Sequence, residues 1–393
     1  MVGTNETDQR PARARRRPAE LTVLTGAKVV SNSALRWVGP FLPTLERAFS
    51  TTTGTLTGIM GVCELGGLTT VATGPILDRG HERRVFAAGL CGVVAAMLIA
   101  TGGSTATYAI GYTVLVVGVG NLTVAGHAWI GHRFAFSERG RAIGVFEMSW
   151  ALAMLIGAPI VAVLIRGIGW RAPFVVLAGA AALSLAVVVR HVEPGRATPS
   201  TTTAGGRLPW RTFPPLFASA ATAAAGLGLF VVSGAWLDDR HGVSTGGLGV
   251  VAAAYGAVEL GASTLVVVAS DRFGARRSVF AGLLVLLAGC GVVAVSGNST
   301  ILAVIGLLVF LAGFEYAFVS SLTLVTEAAP EARGRTIGLS NAFGTLTRAG
   351  SVVLTGQLYE AYGMGGSLVW IVTAAGLAVG LTCISPTRRQ RTR

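Results

Sequence analysis

Seven ionisable side chains sit where so apolar a chain has least use for charge. Arg36, Glu64, Glu259, Glu315 and Arg348 each fall near the middle of a long apolar run, and His127 and Glu147 fall toward one end of two others. An ionised group at the centre of a bilayer costs about 2.5–3.5 kcal/mol on insertion scales, so such residues either pair with one another or mark an ion or substrate path. A carboxyl there can take up and release a proton, and an imidazole can relay one. The two arginines can neutralise the glutamates or hold an anionic substrate.

A second set of charges is dense and repeated. "GPILDRGHERR" runs from Gly74 to Arg84 and "ASDRFGARR" ends at Arg277. Each holds Asp-Arg-x-x-x-Arg-Arg: Asp78, Arg79, Arg83 and Arg84, then Asp271, Arg272, Arg276 and Arg277. Two further landmarks recur in the same order. "GVCELGG" at Gly61 matches "GAVELGA" at Gly256, and "RGRAIG" at Arg139 matches "RGRTIG" at Arg333. One unit has therefore been duplicated. Glu64 and Glu259 become repeat mates, and Glu315 corresponds to Asn121. Asn121 and Glu315, with Arg36, Glu64, Glu259 and Arg348, make up a candidate substrate and proton set. The alternative for each is structural: a permanent ion pair, or hydrogen bonds that hold helices together. Trp129 and Trp150 could stack on a flat substrate or simply pack helices.

The elements that position these residues follow from composition. Of 393 residues, 52% are hydrophobic and 12% charged, with mean hydropathy +0.65. Soluble domains carry about 25% charged residues, so this chain is solvated chiefly by lipid, and a spanning helix needs about 20 apolar residues. Runs of that length predict an all-α membrane protein with twelve spans at about 21–45, 55–78, 84–102, 107–134, 140–166, 171–190, 213–237, 246–271, 278–296, 300–327, 334–361 and 364–384. The segment 191–212, rich in Pro, Gly, Ser and Thr, reads as a linker between six-helix halves at 21–190 and 213–384, with basic tails at 1–20 and 385–393. The tails and the loops on their side hold 24 of the 31 Arg and Lys, and the opposite loops hold four: Arg47, Arg166, Arg171 and Arg240. That asymmetry places both termini in the cytoplasm.

The same distribution argues against nucleic acid as the partner of a chain with net charge +13. The four cysteines lie inside apolar runs without CxxC spacing, which supports neither disulfides nor a zinc site. No G-x-x-x-x-G-K or H-E-x-x-H occurs, and the single G-x-S-x-G match, Gly242–Gly246, lies in a short polar stretch between two apolar runs rather than after a strand, so ATP-driven pumping and hydrolysis have no support, and no cofactor or metal is expected.

At the duplicated loops the chain resembles a major facilitator superfamily transporter. "GPILDRGHERR" is similar to that family's signature between helices two and three, and "ASDRFGARR" to its partner between helices eight and nine. "ERGRAIGVFEMSWALAMLIGAPI" and "EYAFVSSLTLVTEAAPEARGR" resemble the drug-efflux-type, drug:proton antiporter branch, although Gly157-Ala158-Pro159 splits the Gly-Pro of its helix-five motif and the following glycine pair is missing. The resemblance implies a monomeric secondary transporter of the plasma membrane. It would work by alternating access and export small amphipathic molecules against protons. Uptake of a polar metabolite and a transporter-like sensor are the alternatives. It also implies that Gly74, Asp78, Arg79, Arg83, Arg84, Asp271, Arg272, Arg276 and Arg277 form gating latches. The plain alternative is a basic anchor without a gating role.

Overall fold

The computed structural model describes residues 9–194, 208–328 and 333–385; of the linker, 195–207 lies outside the described residues, as do 1–8, 329–332 and 386–393. Among the described residues the chain is helical without strands. Ten stretches are long and apolar enough to cross a membrane: Thr53–Asp78, Glu82–Ala100, Thr105–Arg133, Ser137–Gly167, Ala172–His191, Trp210–His241, Thr245–Val266, Ala275–Val295, Thr300–Ala328 and Thr336–Ile384. The last is two spans, because the helix Arg333–Ile384 is broken at Gly363, whose φ of 64° suits a residue without Cβ. The helix Gln9–Arg36 precedes them all and is too charged at its start to meet the same criterion. The total is twelve spans in an all-α membrane protein, numbered here in chain order.

Two boundaries depart from the sequence expectation. The helix that forms span one begins at Gln9, within the stretch read as a tail; its first turns carry five arginines, so the helix extends beyond the apolar run that crosses the membrane. It does not run through to residue 45. The chain turns over 37–41 and resumes as a short helix, Leu42–Phe49. Pro40 lacks the N–H that a continuous helix would need, and Pro43 sits where a new helix tolerates it. Spans two and five are also not uniform. A 3₁₀ turn, Leu65–Thr69, interrupts span two at its glycine pair. A π turn, Ala153–Gly157, interrupts span five directly before Pro159, at the point where the Gly-Ala-Pro sequence departs from the antiporter pattern.

The packing repeats between halves. Span three lies against four and six, and nine lies against ten and twelve. The halves meet along two seams, two against eleven and five against eight. Repeat-mate glycines make both seams tight. A Cβ on Gly54 would lie 2.0 Å from a Glu360 oxygen and one on Gly61 2.6 Å from the Ala349 carbonyl. On span eight, a Cβ on Gly249 would lie 2.5 Å from Ala162 and one on Gly256 2.3 Å from the Leu155 nitrogen. These glycines occupy the ends of spans two and eight remote from the termini. At the other end, Gly74, Gly144, Gly261 and Gly338 border open space. The halves are therefore closed on the face opposite the termini and parted on the terminal face.

Candidate functional site

Span one supplies a polar stripe at helical spacing: Lys28, Asn32 and Arg36, each four residues from the next and all buried. Arg36, at the last turn before the Gly39-Pro40 break, reaches across to the other half. Its two terminal nitrogens donate to both oxygens of Glu259 in span eight, at 2.8 and 2.5 Å. One of them also donates to the Trp150 carbonyl at 2.7 Å, just before the π turn of span five. The guanidinium lies 4.1 Å from the Trp150 ring centroid and 5.2 Å from that of Phe230. Arg36 is 5% exposed and Glu259 1%. This planar, bidentate arrangement suits arginine and would not suit lysine.

Lys28 forms a second pair, within the N-terminal half. Its ammonium donates to Glu147 of span five at 2.7 Å and sits 4.2 Å from the Phe146 ring centroid. His127 of span four contacts the same Glu147 oxygen at 2.7 Å. Asn32 donates to Ser149 at 3.2 Å between these two pairs. A third pair is looser: Arg348 Nε approaches Glu64 at 3.7 Å across the seam between spans two and eleven.

Glu315 of span ten stands apart. It is 8% exposed, and among the described residues its one hydrogen-bond partner is the Ser263 hydroxyl at 2.7 Å, one turn beyond Glu259 on span eight. Among the described residues it makes no ion pair, though Glu259, Arg36 and Glu147 lie within electrostatic reach. Three mid-membrane glutamates thus each have a basic partner and the fourth does not. A carboxyl in that position can exist neutral without orphaning a cation.

Several expectations resolve into geometry. Arg36 and Arg348 are committed to Glu259 and Glu64, so neither neutralises Glu315 as an ion pair. Asn121 is not brought to Glu315. Its amide donates to Thr69 at 3.0 Å and to the Val117 carbonyl at 2.8 Å, and Thr73 donates to it, so it ties span four to span two within one half. Trp129 and Trp150 are occupied by Arg133 and Arg36. Lys28 is a buried charge that the sequence analysis did not single out. Its spacing of eight from Arg36 was the available signal.

The signature loop is open. Asp78 and Arg79 are exposed at the end of span two, and among the described residues Asp78 makes no ion pair and Gly74 has no close neighbour. Arg83 donates to the Val192 carbonyl at 3.1 Å. Glu82 turns inward, 1% exposed, against His132. In the second copy Arg276 donates to the Cys383 carbonyl; the side chains of Asp271 and Arg272 lie outside the described residues.

On the closed face, the Glu360 carboxylate of span eleven accepts from the Gly54 N–H at 2.8 Å and the Thr52 hydroxyl at 2.9 Å, capping span two. Gln357 donates to the Gly54 carbonyl at 3.0 Å, and Arg47 pairs with Asp238 at 2.6 Å. Beside them Glu46 accepts from Thr53, and burial, reinforced by Asp239 and Asp238, pushes its carboxyl above the ordinary value. Among the described residues, every hydrogen bond and ion pair between the halves lies at mid-membrane or toward this face.

The family model for the Major Facilitator Superfamily matches residues 25–237 and 216–393. The chain belongs to the major facilitator superfamily. It is a multi-pass secondary transporter, not an enzyme. Several solved members of this fold superpose on nearly the whole chain. One is a bacterial homologue of the human lysosomal transporter Spinster, in an inward-facing, unoccupied conformation, with TM-score 0.77, 15% identity, and 95% of this chain and 98% of that chain covered. Another is a D-xylose-proton symporter, with TM-score 0.78, 14% identity, and 93% and 96% covered. At such identities the likeness concerns the fold alone. In sequence, the human chromaffin granule amine transporter is 28% identical over 130 residues, which is 33% of this chain and 25% of that protein. The match thus spans about a quarter of that relative's length.

Proposed function

We propose that this major facilitator is a proton-coupled exporter of small amphipathic molecules, cationic or neutral, and that Glu315 carries the proton. The observation that supports this most is the unmatched Glu315 carboxyl beside three paired glutamates. With the pairs intact, Glu315 is the carboxyl of the site left to gain or lose a proton. Protonated from outside, the site is neutral and the protein turns inward. Proton release inside restores a carboxylate that attracts a cationic group or accepts hydrogen bonds from a neutral one, and the loaded protein turns outward. The amine transporter among its relatives fits a cationic substrate.

The arginine distribution supports cytoplasmic termini in a plasma membrane, with the halves at about 21–190 and 213–384. The parted face is then the cytoplasmic one, and the unengaged Asp78 is the released state of a latch that closes when the halves rock. Asp78, Arg79, Arg83 and Arg84, with their counterparts Asp271, Arg272, Arg276 and Arg277, act in gating rather than in substrate binding.

The test is transport in proteoliposomes under an imposed pH gradient, with organic amines, dyes and sugars as substrates. Substrate moving opposite to the proton flow supports export. Movement of a sugar with the proton flow replaces this reading with uptake, and indifference to the gradient removes proton coupling.

A further inference from the structure

Where spans two and three meet on the terminal face, a pocket of about 240 Å³ is lined by Arg79, Gly80, His81, Arg83, Arg84 and Pro194. Three guanidiniums and an imidazole converge there, and no carboxylate lines it. Of the loop's two acids, Glu82 is turned away and held by His132. Asp78 is adjacent but, among the described residues, pairs with none of these arginines. Arg83 gives one N–H to the Val192 carbonyl, whereas Arg79 and Arg84 have no acceptor among the described residues. His81 Nδ1 is buried without a hydrogen-bond partner among the described residues. No side chain caps the first turn of span three, so its free N–H groups begin at the same place.

A concave site of like charge, with unused donors, at the end of two membrane spans, has the chemistry of an anion receptor. Guanidiniums match phosphate oxygens in charge and in paired donor geometry. The volume equals that of roughly eight waters at about 30 Å³ each, enough for a phosphodiester group. We propose that this pocket binds a phosphate-bearing anion. Its depth at the membrane surface suits the headgroup of an anionic phospholipid, and free phosphate shares the same chemistry. Occupancy engages Arg79 and Arg84 and withholds them from Asp78, so the bound anion favours the arrangement with the terminal face parted.

The experiment is a binding measurement on the full chain and does not depend on proton coupling or on any transport substrate. Wild type and Arg79→Gln/Arg84→Gln are purified, exposed to equal phosphatidylglycerol and phosphatidylcholine, and compared for retained lipid by native mass spectrometry. The wild type should retain phosphatidylglycerol in preference. Each arginine removed should weaken retention about fivefold, the equivalent of about 1 kcal/mol. Arg79→Lys/Arg84→Lys, which keeps the charge, should retain most of it and controls for folding. Inorganic phosphate is the second arm. If phosphate binds and the arginine variant loses it while lipid retention is unselective, the site takes free phosphate. Unselective lipid retention with no phosphate binding, or retention unchanged in Arg79→Gln/Arg84→Gln, overturns the proposal.

Discussion

The Arg36–Glu259 pair is a buried bridge between the halves, and its worth can be worked out before it is measured. Two unit charges about 4 Å apart interact by about 4 kcal/mol at an effective dielectric constant of 20. Here both oxygens are engaged at 2.8 and 2.5 Å. Removing one partner of such a buried pair costs about 3–5 kcal/mol, because the other is left uncompensated. For Glu259→Leu the orphan is Arg36, which keeps the Trp150 carbonyl and two aromatic faces. A charge-assisted hydrogen bond is worth about 1.5–3 kcal/mol, so the cost should fall to about 1–3 kcal/mol. Glu259→Gln keeps one acceptor and should cost about 1–3 kcal/mol. Arg36→Met leaves the Glu259 carboxylate without a hydrogen-bond donor among the described residues and should cost more than Glu259→Leu. The double variant Arg36→Met/Glu259→Leu removes both desolvation penalties and should lie within about 1–2 kcal/mol of wild type. Reversible unfolding in mixed SDS micelles reads all four corners of the cycle. A coupling energy of at least about 2 kcal/mol is expected. Additive single effects, or singles that each cost under about 1 kcal/mol, would show that the pair does not hold the halves together.

Three further outcomes follow from the same geometry. Gly54→Leu and Gly256→Leu each place a side chain where the opposite half now sits, so they should open the closed face; alkylation of a cysteine at Thr52 should rise, and unchanged labelling would contradict the tight seams. Asp78→Asn should slow transport while substrate binding persists, since the residue touches neither Glu315 nor its neighbours, and equal loss of both in a folded protein would place it in the binding site. Cysteines at Ser104, Ser244 and Ser299, in a cysteine-free background, should label from outside intact cells, and a cysteine at Thr202 should not; the reverse pattern would invert the orientation.

The twelve spans and the duplication were legible because both rest on local signals: apolar length, and three landmarks repeated in order. The break over 37–41 was also written in Gly39-Pro40, but a hydropathy window averages across it. Lys28 was hidden by the same habit, since one charge in an apolar run looks like an interruption until its spacing to Asn32 and Arg36 is counted. What a single sequence does not carry is the choice of partner. Arg36 could have met any of four glutamates, and helix rotation and the 3₁₀ and π turns of spans two and five decide which. Asn121 shows the limit of symmetry: it is the repeat counterpart of Glu315, yet its amide ties spans two and four together. The glycines of the seams were visible as repeat matches at Gly61 and Gly256, without any indication that a helix from the other half rests on them.

The central claim is that Glu315 is the one mid-membrane carboxyl free to exchange its proton during transport. The most direct measurement is substrate-induced proton movement in liposomes, with wild type beside Glu315→Gln, Glu64→Gln and Glu259→Gln. The substrate should drive protons through wild type. Glu315→Gln should abolish that movement while still exchanging substrate downhill, and Glu64→Gln should retain coupling at a reduced rate. Undiminished proton movement in Glu315→Gln would contradict the account and transfer the role to one of the paired glutamates.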